Sequence, residues 1–233
     1  MITLCGFGPF GELPDTSPFV VKTHAQLRLA GLAYETATGL AVMRKSPTGK
    51  MPYIVDDGVT VSDSDLIGRH ITKRHGFDFY AGYDARDRAI AHAVEEMLEE
   101  RFYFLIVHAR WIDEAGWPVM RAYLKSVIPA PVNLFVPDLG RRKVRKLLHA
   151  QGVGRHDDAT RLMMAESDLD ALVTLLGDKP FLLGDRPSGV DASIFGMVGA
   201  ALSPAFPTAL QRATAARPTL VAYMQRMRER LGF

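Results

Sequence analysis

The order of hydrophobic and polar positions divides the chain into a mixed N-terminal part and a helical remainder. Short apolar runs and one helical stretch alternate up to about residue 76, whereas almost every later segment repeats its apolar residues at helical spacing. Between them, residues 77–84 (FDFYAGYD) have no clear period. We therefore predict an N-terminal domain over 1–76, a linker over 77–84 and an all-α domain over 85–233.

In the N-terminal domain the pattern predicts the order β-α-β, a β-hairpin and a final helix. Residues 2–5 form a short apolar strand. A helix begins at Ser17, because serine is a good N-cap and the proline after it lacks only an N–H that the first turn does not use. A second strand is predicted over 33–38. Residues 53–61 (YIVDDGVTV) are two β-rich runs around Asp-Gly, a strong hairpin signal, and a helix over about 63–75 follows.

The all-α domain is predicted to contain six long helices. Their approximate ranges are 85–110, 117–127, 139–150, 157–176, 188–202 and 216–231. In the fifth, Ser188 and Asp191 form an S-x-x-D capping box ahead of a stretch that is apolar all round. We expect this helix to run through the centre of the domain and interpret both residues as its cap, not as a functional site.

A glycine motif near the N-terminus raises the question of dinucleotide binding. Residues 6–11 (GFGPFG) match G-x-G-x-x-G after a predicted strand. A dinucleotide loop needs its third glycine inside the first turn of a helix. Here Pro14 and further turn-forming residues follow, helix signals start only at Ser17, and the later strands form a hairpin. The sequence therefore argues against an NAD-binding fold.

Composition narrows the class of protein. The chain has 233 residues, 48% of them hydrophobic, and a formal net charge of +2 from 28 basic and 26 acidic side chains. It has no basic excess for binding nucleic acid or a membrane surface, and we interpret its one basic cluster, 140–146 (GRRKVRK), as a surface helix. A single cysteine, Cys5, excludes an internal disulfide and a cysteine-rich zinc site. With no signal-peptide pattern at its start, the chain is expected to be a soluble cytoplasmic protein.

The other reactive side chains and motifs of the sequence predict no nucleophile, metal site or phosphate-binding loop. Cys5 lies within the first strand and is interpreted as a buried apolar residue. His70 and His75 are five positions apart and do not share a helix face well, so we predict no metal site. A P-loop is incomplete because Met51 follows Lys50.

Three features of the N-terminal domain could bind a ligand. A hydroxyl at a helix start, such as that of Ser17, can donate a hydrogen bond to an anion. A thiol there ionises below its usual pKa of about 8.5. The alternative is that Ser17 is a plain N-cap. Met51-Pro52 is a candidate cis peptide ahead of a strand, and Asp63 and Ser64 open the next helix with a second set of N-terminal donors.

The stretches that carry these features resemble the glutathione transferases. The stretches that match are TSPFVVKTHAQLRLAGLAYE, SPTGKMPYIVDDGVTVSDSDLI and FLLGDRPSGVDASIFG. In detail the chain is similar to the metaxin-like, Fax-type branch. The resemblance implies a thioredoxin-like N-terminal domain (βαβ–ββα), an all-α C-terminal domain, glutathione as a substrate without a metal, and a homodimer.

The resemblance also implies the site residues. Ser17, five positions before Lys22, would activate the sulfur of glutathione. Met51, with Lys50 and Pro52 beside it, would bind the peptide backbone, and the γ-glutamyl end would lie on Asp63 and Ser64. The chain departs from the family pattern in two places. It has Asp63 where many members have glutamate, and its loop over 7–16 is longer than usual, so that it could displace Ser17 or cover the site; Thr16 is an adjacent hydroxyl that could substitute.

The predicted function is activation of the glutathione thiolate for attack on an apolar electrophile or a peroxide. The alternative is a non-catalytic protein with the same fold that binds glutathione or another ligand, or uses its helical surface for protein partners.

Overall fold

The computed structural model describes residues 1–233 and contains four strands and eleven α-helices. The strands are β1 (Ile2–Cys5), β2 (Tyr34–Ala37), β3 (Tyr53–Asp56) and β4 (Val59–Ser62). The helices are α1 (Pro18–Leu29), α2 (Leu40–Arg44), α3 (Ser64–His75), α4 (Ala85–Glu96), α5 (Tyr103–Trp111), α6 (Trp117–Val127), α7 (Val136–Gln151), α8 (Asp158–Leu176), α9 (Gly189–Leu202), α10 (Ala209–Ala215) and α11 (Pro218–Leu231).

The strands form one mixed sheet in the order β2-β1-β3-β4. β1 pairs in parallel with β2 and antiparallel with β3, so that Cys5 lies opposite Tyr53. β3 and β4 form the predicted hairpin, in which Asp57 and Gly58 both have positive φ, at 46° and 83°, as a tight Asp-Gly turn requires. The observed order β-α-β, hairpin, α confirms the predicted thioredoxin-like arrangement.

The helices follow the predictions except at three places. The short helix α2 was not predicted. The single helix expected over 216–231 begins at Pro218, and a separate helix, α10, precedes it. The helix expected over 85–110 is continuous, but residues Met97–Phe102 form π-helical turns between α4 and α5. None of the helices combines the length and apolar character that a bilayer crossing needs.

Helix α9 is the centre of the helical part, as its composition predicts. Thirteen of its fourteen residues are buried. The Ser188 and Asp191 capping box is formed, and the Asp191 carboxylate also accepts hydrogen bonds from the Leu182 N–H at 3.0 Å and the Tyr223 hydroxyl at 2.7 Å. The cap therefore joins three segments of the all-α core.

The N-terminal part packs on the helical part mainly through α1 and α9. A Cβ placed on Gly196 of α9 would lie 2.3 Å from the carbonyl oxygen of Pro18, so glycine is what allows the two helices this close an approach. The start of α1 is thereby fixed against the centre of the helical core.

Candidate functional site

Ser17 occupies the N-cap position of α1, as predicted, but its hydroxyl does not cap the helix. The side chain makes no capping hydrogen bond, and Ser17 is half-buried. The adjacent Thr16 hydroxyl is buried and unpaired, so Ser17 presents the more accessible of the two. The plain N-cap interpretation does not describe this geometry, because the hydroxyl is free to donate a hydrogen bond elsewhere.

The long loop before α1 leaves Ser17 at the helix start. Its anchor is the buried carboxylate of Asp15, which accepts hydrogen bonds from the backbone N–H groups of Phe7, Gly8 and Ser17, each at 2.8 Å. Burial raises the pKa of Asp15 to about 6, although these N–H groups favour the charged form. This role was not predicted from the sequence, because Asp15 was one of the turn-forming residues that follow Pro14.

The outer part of the loop packs on the helical domain. Phe10 contacts Tyr123 and Phe206, with ring centroids 5.1 and 5.3 Å apart. Arg110, which is fully enclosed, donates hydrogen bonds to the carbonyls of Thr16 at 2.7 Å and Ala200 at 2.9 Å. Burial lowers the pKa of Arg110 to about 10. The loop therefore covers a face of the helical domain beside Ser17 instead of displacing the residue.

The three predicted ligand-binding features, Ser17, Met51-Pro52 and Asp63-Ser64, are called the three anchors. The second anchor lies immediately before β3. The Met51-Pro52 peptide bond is cis, as the sequence suggested. Met51 is largely buried, and neither its N–H nor its carbonyl takes part in a hydrogen bond within the chain. Lys50 is exposed, its carbonyl accepts a hydrogen bond from the Ser46 hydroxyl, and its ammonium makes no ion pair within the chain.

The third anchor is joined to the second by a backbone hydrogen bond. The N–H of Asp63 donates to the carbonyl of Pro52 at 3.2 Å. Asp63 has a φ of 81°, and its carboxylate accepts from the Asp65 N–H at 2.9 Å at the start of α3. Ser64 is buried, and its carbonyl accepts from the Gln26 side chain of α1 at 3.1 Å.

The topology brings these anchors to one edge of the sheet. Cys5 ends β1 opposite Tyr53, which follows Pro52, and the chain then runs from Cys5 through the loop to Ser17. The α1 start, the Met51-Pro52 segment and the α3 start therefore meet at the edge where β1 ends. The ammonium of Lys22 is not free to bind a ligand at this edge, because it is buried and paired with Glu99 at 2.6 Å.

Two other features bear on the choice of site. Burial raises the pKa of the Cys5 thiol, which suits the interpretation of Cys5 as a core residue. A large cavity of about 630 Å³ lies on the β2 side of the sheet and is lined by residues that include Asp15, His24, Arg28 and Phe233. None of the predicted site residues lines this cavity.

Comparison with known proteins agrees with the fold just described. Residues 18–116 match the family model described as glutathione S-transferase N-terminal domain, and residues 165–227 match glutathione S-transferase, C-terminal domain. The chain is 32% identical over 234 residues to an isoprene-epoxide–glutathione S-transferase from Rhodococcus, covering 98% of both chains. The chain therefore belongs to the glutathione S-transferase family, which confirms the predicted family and a transferase that uses glutathione.

More distant relatives and solved structures extend the likeness. The chain is 28% identical to Failed axon connections of Drosophila melanogaster and 30% identical to human metaxin-1. These matches cover 85% and 89% of this chain but only 49% and 46% of those proteins. A glutathione S-transferase structure from Methylobacterium radiotolerans, in complex with glutathione sulfonate, superposes with a TM-score of 0.63 at 21% identity, covering 97% of this chain and 90% of that one. The structure of the β-etherase LigF of Sphingobium superposes with a TM-score of 0.62 at 17% identity, covering 97% of this chain and 94% of that one.

Proposed function

We propose that the chain binds glutathione along Met51-Pro52 and Asp63-Ser64 and activates its sulfur at Ser17. The Met51 N–H and carbonyl would pair with the peptide backbone of glutathione, and Asp63 and Ser64 would hold its γ-glutamyl end. The Ser17 hydroxyl would donate a hydrogen bond to the sulfur, and the positive end of α1 would favour the thiolate over the thiol.

The observation that carries this proposal is that the polar groups needed are free at one edge of the sheet. The Ser17 hydroxyl and both backbone groups of Met51 make no hydrogen bonds within the chain. The hydrogen bond from the Asp63 N–H to the Pro52 carbonyl fixes the third anchor beside them. Polar groups that remain unpaired at one place are typical of a site that a ligand completes.

We propose an epoxide as the first class of electrophile to test. The full-length relative from Rhodococcus is named for transfer of glutathione to isoprene epoxide. In that reaction the thiolate forms a carbon–sulfur bond, the epoxide carbon–oxygen bond breaks, and the resulting alkoxide takes up a proton from water. The guanidinium of Arg110, which donates to the Thr16 carbonyl, lies 4.7 Å from the centroid of the Phe206 ring. The partly exposed rings of Phe10 and Tyr123 beside Phe206 offer apolar surface for a small electrophile.

Two measurements test the proposal. Calorimetry with glutathione should show binding, and incubation of the protein with glutathione and a small alkyl epoxide should yield the thioether at a rate above the uncatalysed one. Parallel assays with an aryl halide and a hydroperoxide distinguish the reaction classes. Absence of both binding and turnover contradicts the proposal.

A non-catalytic role is the second candidate, favoured by the similarity to Failed axon connections and metaxin-1. It predicts that glutathione or another ligand binds while none of the three electrophiles reacts. We also propose that the chain is a cytoplasmic homodimer, which light scattering after size exclusion and fractionation of the source cells would test.

A further inference from the structure

The structure brings together two histidines that sequence reasoning expected to lie apart. Asp56 ends β3, and the Nε2 atoms of His70 and His75 lie 2.8 and 2.7 Å from the same Oδ2 atom of Asp56. The spacing of five residues places the two imidazole rings at different positions around α3. The centroids of the two rings are nevertheless only 6.2 Å apart, and both rings contact the Asp56 carboxylate. No signal in the sequence indicated this contact, because the residue that joins the two histidines comes from the neighbouring strand β3.

We propose that Asp56, His70 and His75 form a binding site for a divalent transition metal ion, with Zn²⁺ as the representative. Two imidazole nitrogens and one carboxylate oxygen are ligands that Zn²⁺ accepts, and three protein ligands leave a fourth position for water. The three ligand atoms lie within 4.8 Å of one another. Asp56 is 1% exposed, whereas both histidines are partly exposed, so an ion can reach the cluster from the side of α3.

The geometry needs only a small adjustment to admit the ion. Bonds of about 2.1 Å at tetrahedral angles place ligand atoms about 3.4 Å apart. The two nitrogen–oxygen distances would therefore lengthen by about 0.6 Å, which two partly exposed imidazole rings can provide. Each ring would bind through the Nε2 lone pair and carry its proton on Nδ1.

One cation competes for the same carboxylate. The Nε atom of Arg74 lies 3.4 Å from Asp56 Oδ2. Arg74 is 44% exposed, and its Nη2 atom lies 3.2 Å from the exposed carboxylate of Asp57. Arg74 can therefore pair with Asp57 alone when an ion occupies the cluster, and it weakens metal binding without blocking it.

The site is separate from the proposed glutathione site. Asp56 is at the far end of β3 from Met51-Pro52, and four residues of strand span about 13 Å. An ion here would join the end of β3 to the last turns of α3. It would stabilise the N-terminal domain and take no part in the transfer reaction.

The test uses untagged, chelator-treated full-length protein titrated with Zn²⁺ by calorimetry and with Co²⁺ by visible absorption. We expect one ion per chain, the absorption of four-coordinate Co²⁺, and a rise in the unfolding temperature with Zn²⁺. The double variant His70→Gln/His75→Gln keeps side-chain N–H donors for Asp56 and should remain folded by circular dichroism. It should bind at least 100-fold more weakly, beyond the ~10–100-fold typical for loss of an outer-shell partner.

Two further variants separate this site from adventitious binding. His92→Gln changes an exposed histidine on α4 and should leave the affinity unchanged. Arg74→Ala removes the competing guanidinium and should strengthen binding. The proposal is overturned if the native protein binds neither ion, or if binding survives in the His70→Gln/His75→Gln variant.

Discussion

The carboxylate of Asp15 accepts a hydrogen bond from the backbone N–H of Ser17, with 2.8 Å between Oδ1 and N. A buried negative charge thus lies beside the residue proposed to hold a thiolate, while the Arg110 guanidinium pairs with the neighbouring Thr16 carbonyl at 2.7 Å. Two unit charges about 4 Å apart at an effective dielectric constant of 20 interact by roughly 4 kcal/mol, so a full charge close to a thiol alters its ionisation strongly. A helix end contributes about 0.3–1 kcal/mol. Because the charges of Asp15 and Arg110 have opposite signs, they act against each other on the ionisation of a thiol bound at Ser17, and the helix end adds to the effect of Arg110.

The first prediction concerns this hydroxyl. Ser17→Ala should lower kcat by about 10–100-fold, the loss expected for one hydrogen bond to a charged atom of about 1.5–3 kcal/mol. The dissociation constant for glutathione should stay within about twofold, since most of the tripeptide would lie on the other anchors. Steady-state kinetics with calorimetry measures both. Ser167→Ala, at an exposed position on α8, is the control and should change neither. Loss of affinity at unchanged kcat contradicts the role assigned to Ser17.

The second prediction separates ligand binding from helix capping at Asp63. Asp63 caps α3 and Asp157 caps α8, each by accepting one backbone N–H, so Asp63→Ala and Asp157→Ala should each cost about 1 kcal/mol in the free energy of unfolding. Only Asp63→Ala should weaken glutathione binding, by about tenfold or more, because a charge-assisted hydrogen bond to the ligand would be lost. Calorimetry at a temperature where both variants are folded makes the comparison. An equal loss of affinity in both would show that Asp63 acts only as a cap.

Local signals made much of this N-terminal domain predictable. Ser17-Pro18 determined the start of α1, and Asp57-Gly58 determined the hairpin, because each depends on the backbone preferences of two adjacent residues. Asp63 and Ser64 were implied as glutathione-binding residues by the resemblance alone, and the register of the hairpin in the structure places them beside Pro52.

Long-range contacts were not predictable in the same way. Arg110 reaches Thr16 across 94 positions, and His70 and His75 meet through Asp56. No periodicity along the chain encodes such contacts. Asp15 was similarly missed, because its function is to collect N–H groups from a loop whose path only the folded chain determines.

The third prediction tests the charge of Asp15. At pH 7 a carboxyl with a pKa of about 6 is mostly ionised and opposes ionisation of a neighbouring thiol. Asp15→Asn should therefore lower the pKa of the bound glutathione sulfur and shift the rate profile to lower pH. Ultraviolet titration of the thiolate in the complex measures this shift directly. A higher thiol pKa in the variant would show that Asp15 does not act through its charge.

The same variant should change how stability depends on pH. The pKa of Asp15 is raised in the folded chain, so between about pH 4 and pH 6 the folded state holds more protons at this position than the unfolded state. Its contribution to stability is present below this range and falls as pH rises, by at most about 3 kcal/mol. Asp15→Asn leaves fewer acceptors for the N–H groups of the loop. The variant should therefore be less stable than the native chain near pH 4, and this difference in the free energy of unfolding should shrink by pH 7. Urea unfolding at both pH values measures it.

The fourth prediction concerns the contact between α1 and α9. Gly196→Ala places a Cβ 2.3 Å from the Pro18 carbonyl oxygen and forces the helices apart, at a cost of about 1–3 kcal/mol in the free energy of unfolding. Gly199→Ala is the matched control in the same helix. Its Cβ would lie 3.1 Å from the flexible end of Met224, and alanine is the better helix former, so stability should change by less than about 1 kcal/mol. Because α1 carries Ser17, Gly196→Ala should also reduce kcat. Equal stability of the two variants contradicts the close approach.

The fifth prediction concerns acid sensitivity arising from His24. This imidazole is 6% exposed, and its Nδ1 atom is 2.8 Å from the Tyr34 hydroxyl. Burial, with a smaller effect of Arg28, lowers its pKa to about 4, whereas the unfolded value is near 6.5. Between these values the unfolded chain binds the extra proton, so stability is full above pH 6.5 and is lost as the pH falls toward 4, by at most about 3 kcal/mol. His24→Gln keeps a polar side chain but removes the titration, so its loss of stability between pH 6.5 and 4 should be smaller by that amount. Tyr34→Phe removes the hydrogen bond and keeps the imidazole, so it should retain the pH dependence.

The pH dependence of stability that arises from Asp15 has the opposite sign and lies in the same range, which makes the double variant Asp15→Asn/His24→Gln informative. Its stability should change less between pH 4 and 6.5 than that of His24→Gln if both groups titrate as described, and an unchanged slope in His24→Gln alone would show that the imidazole is not the source.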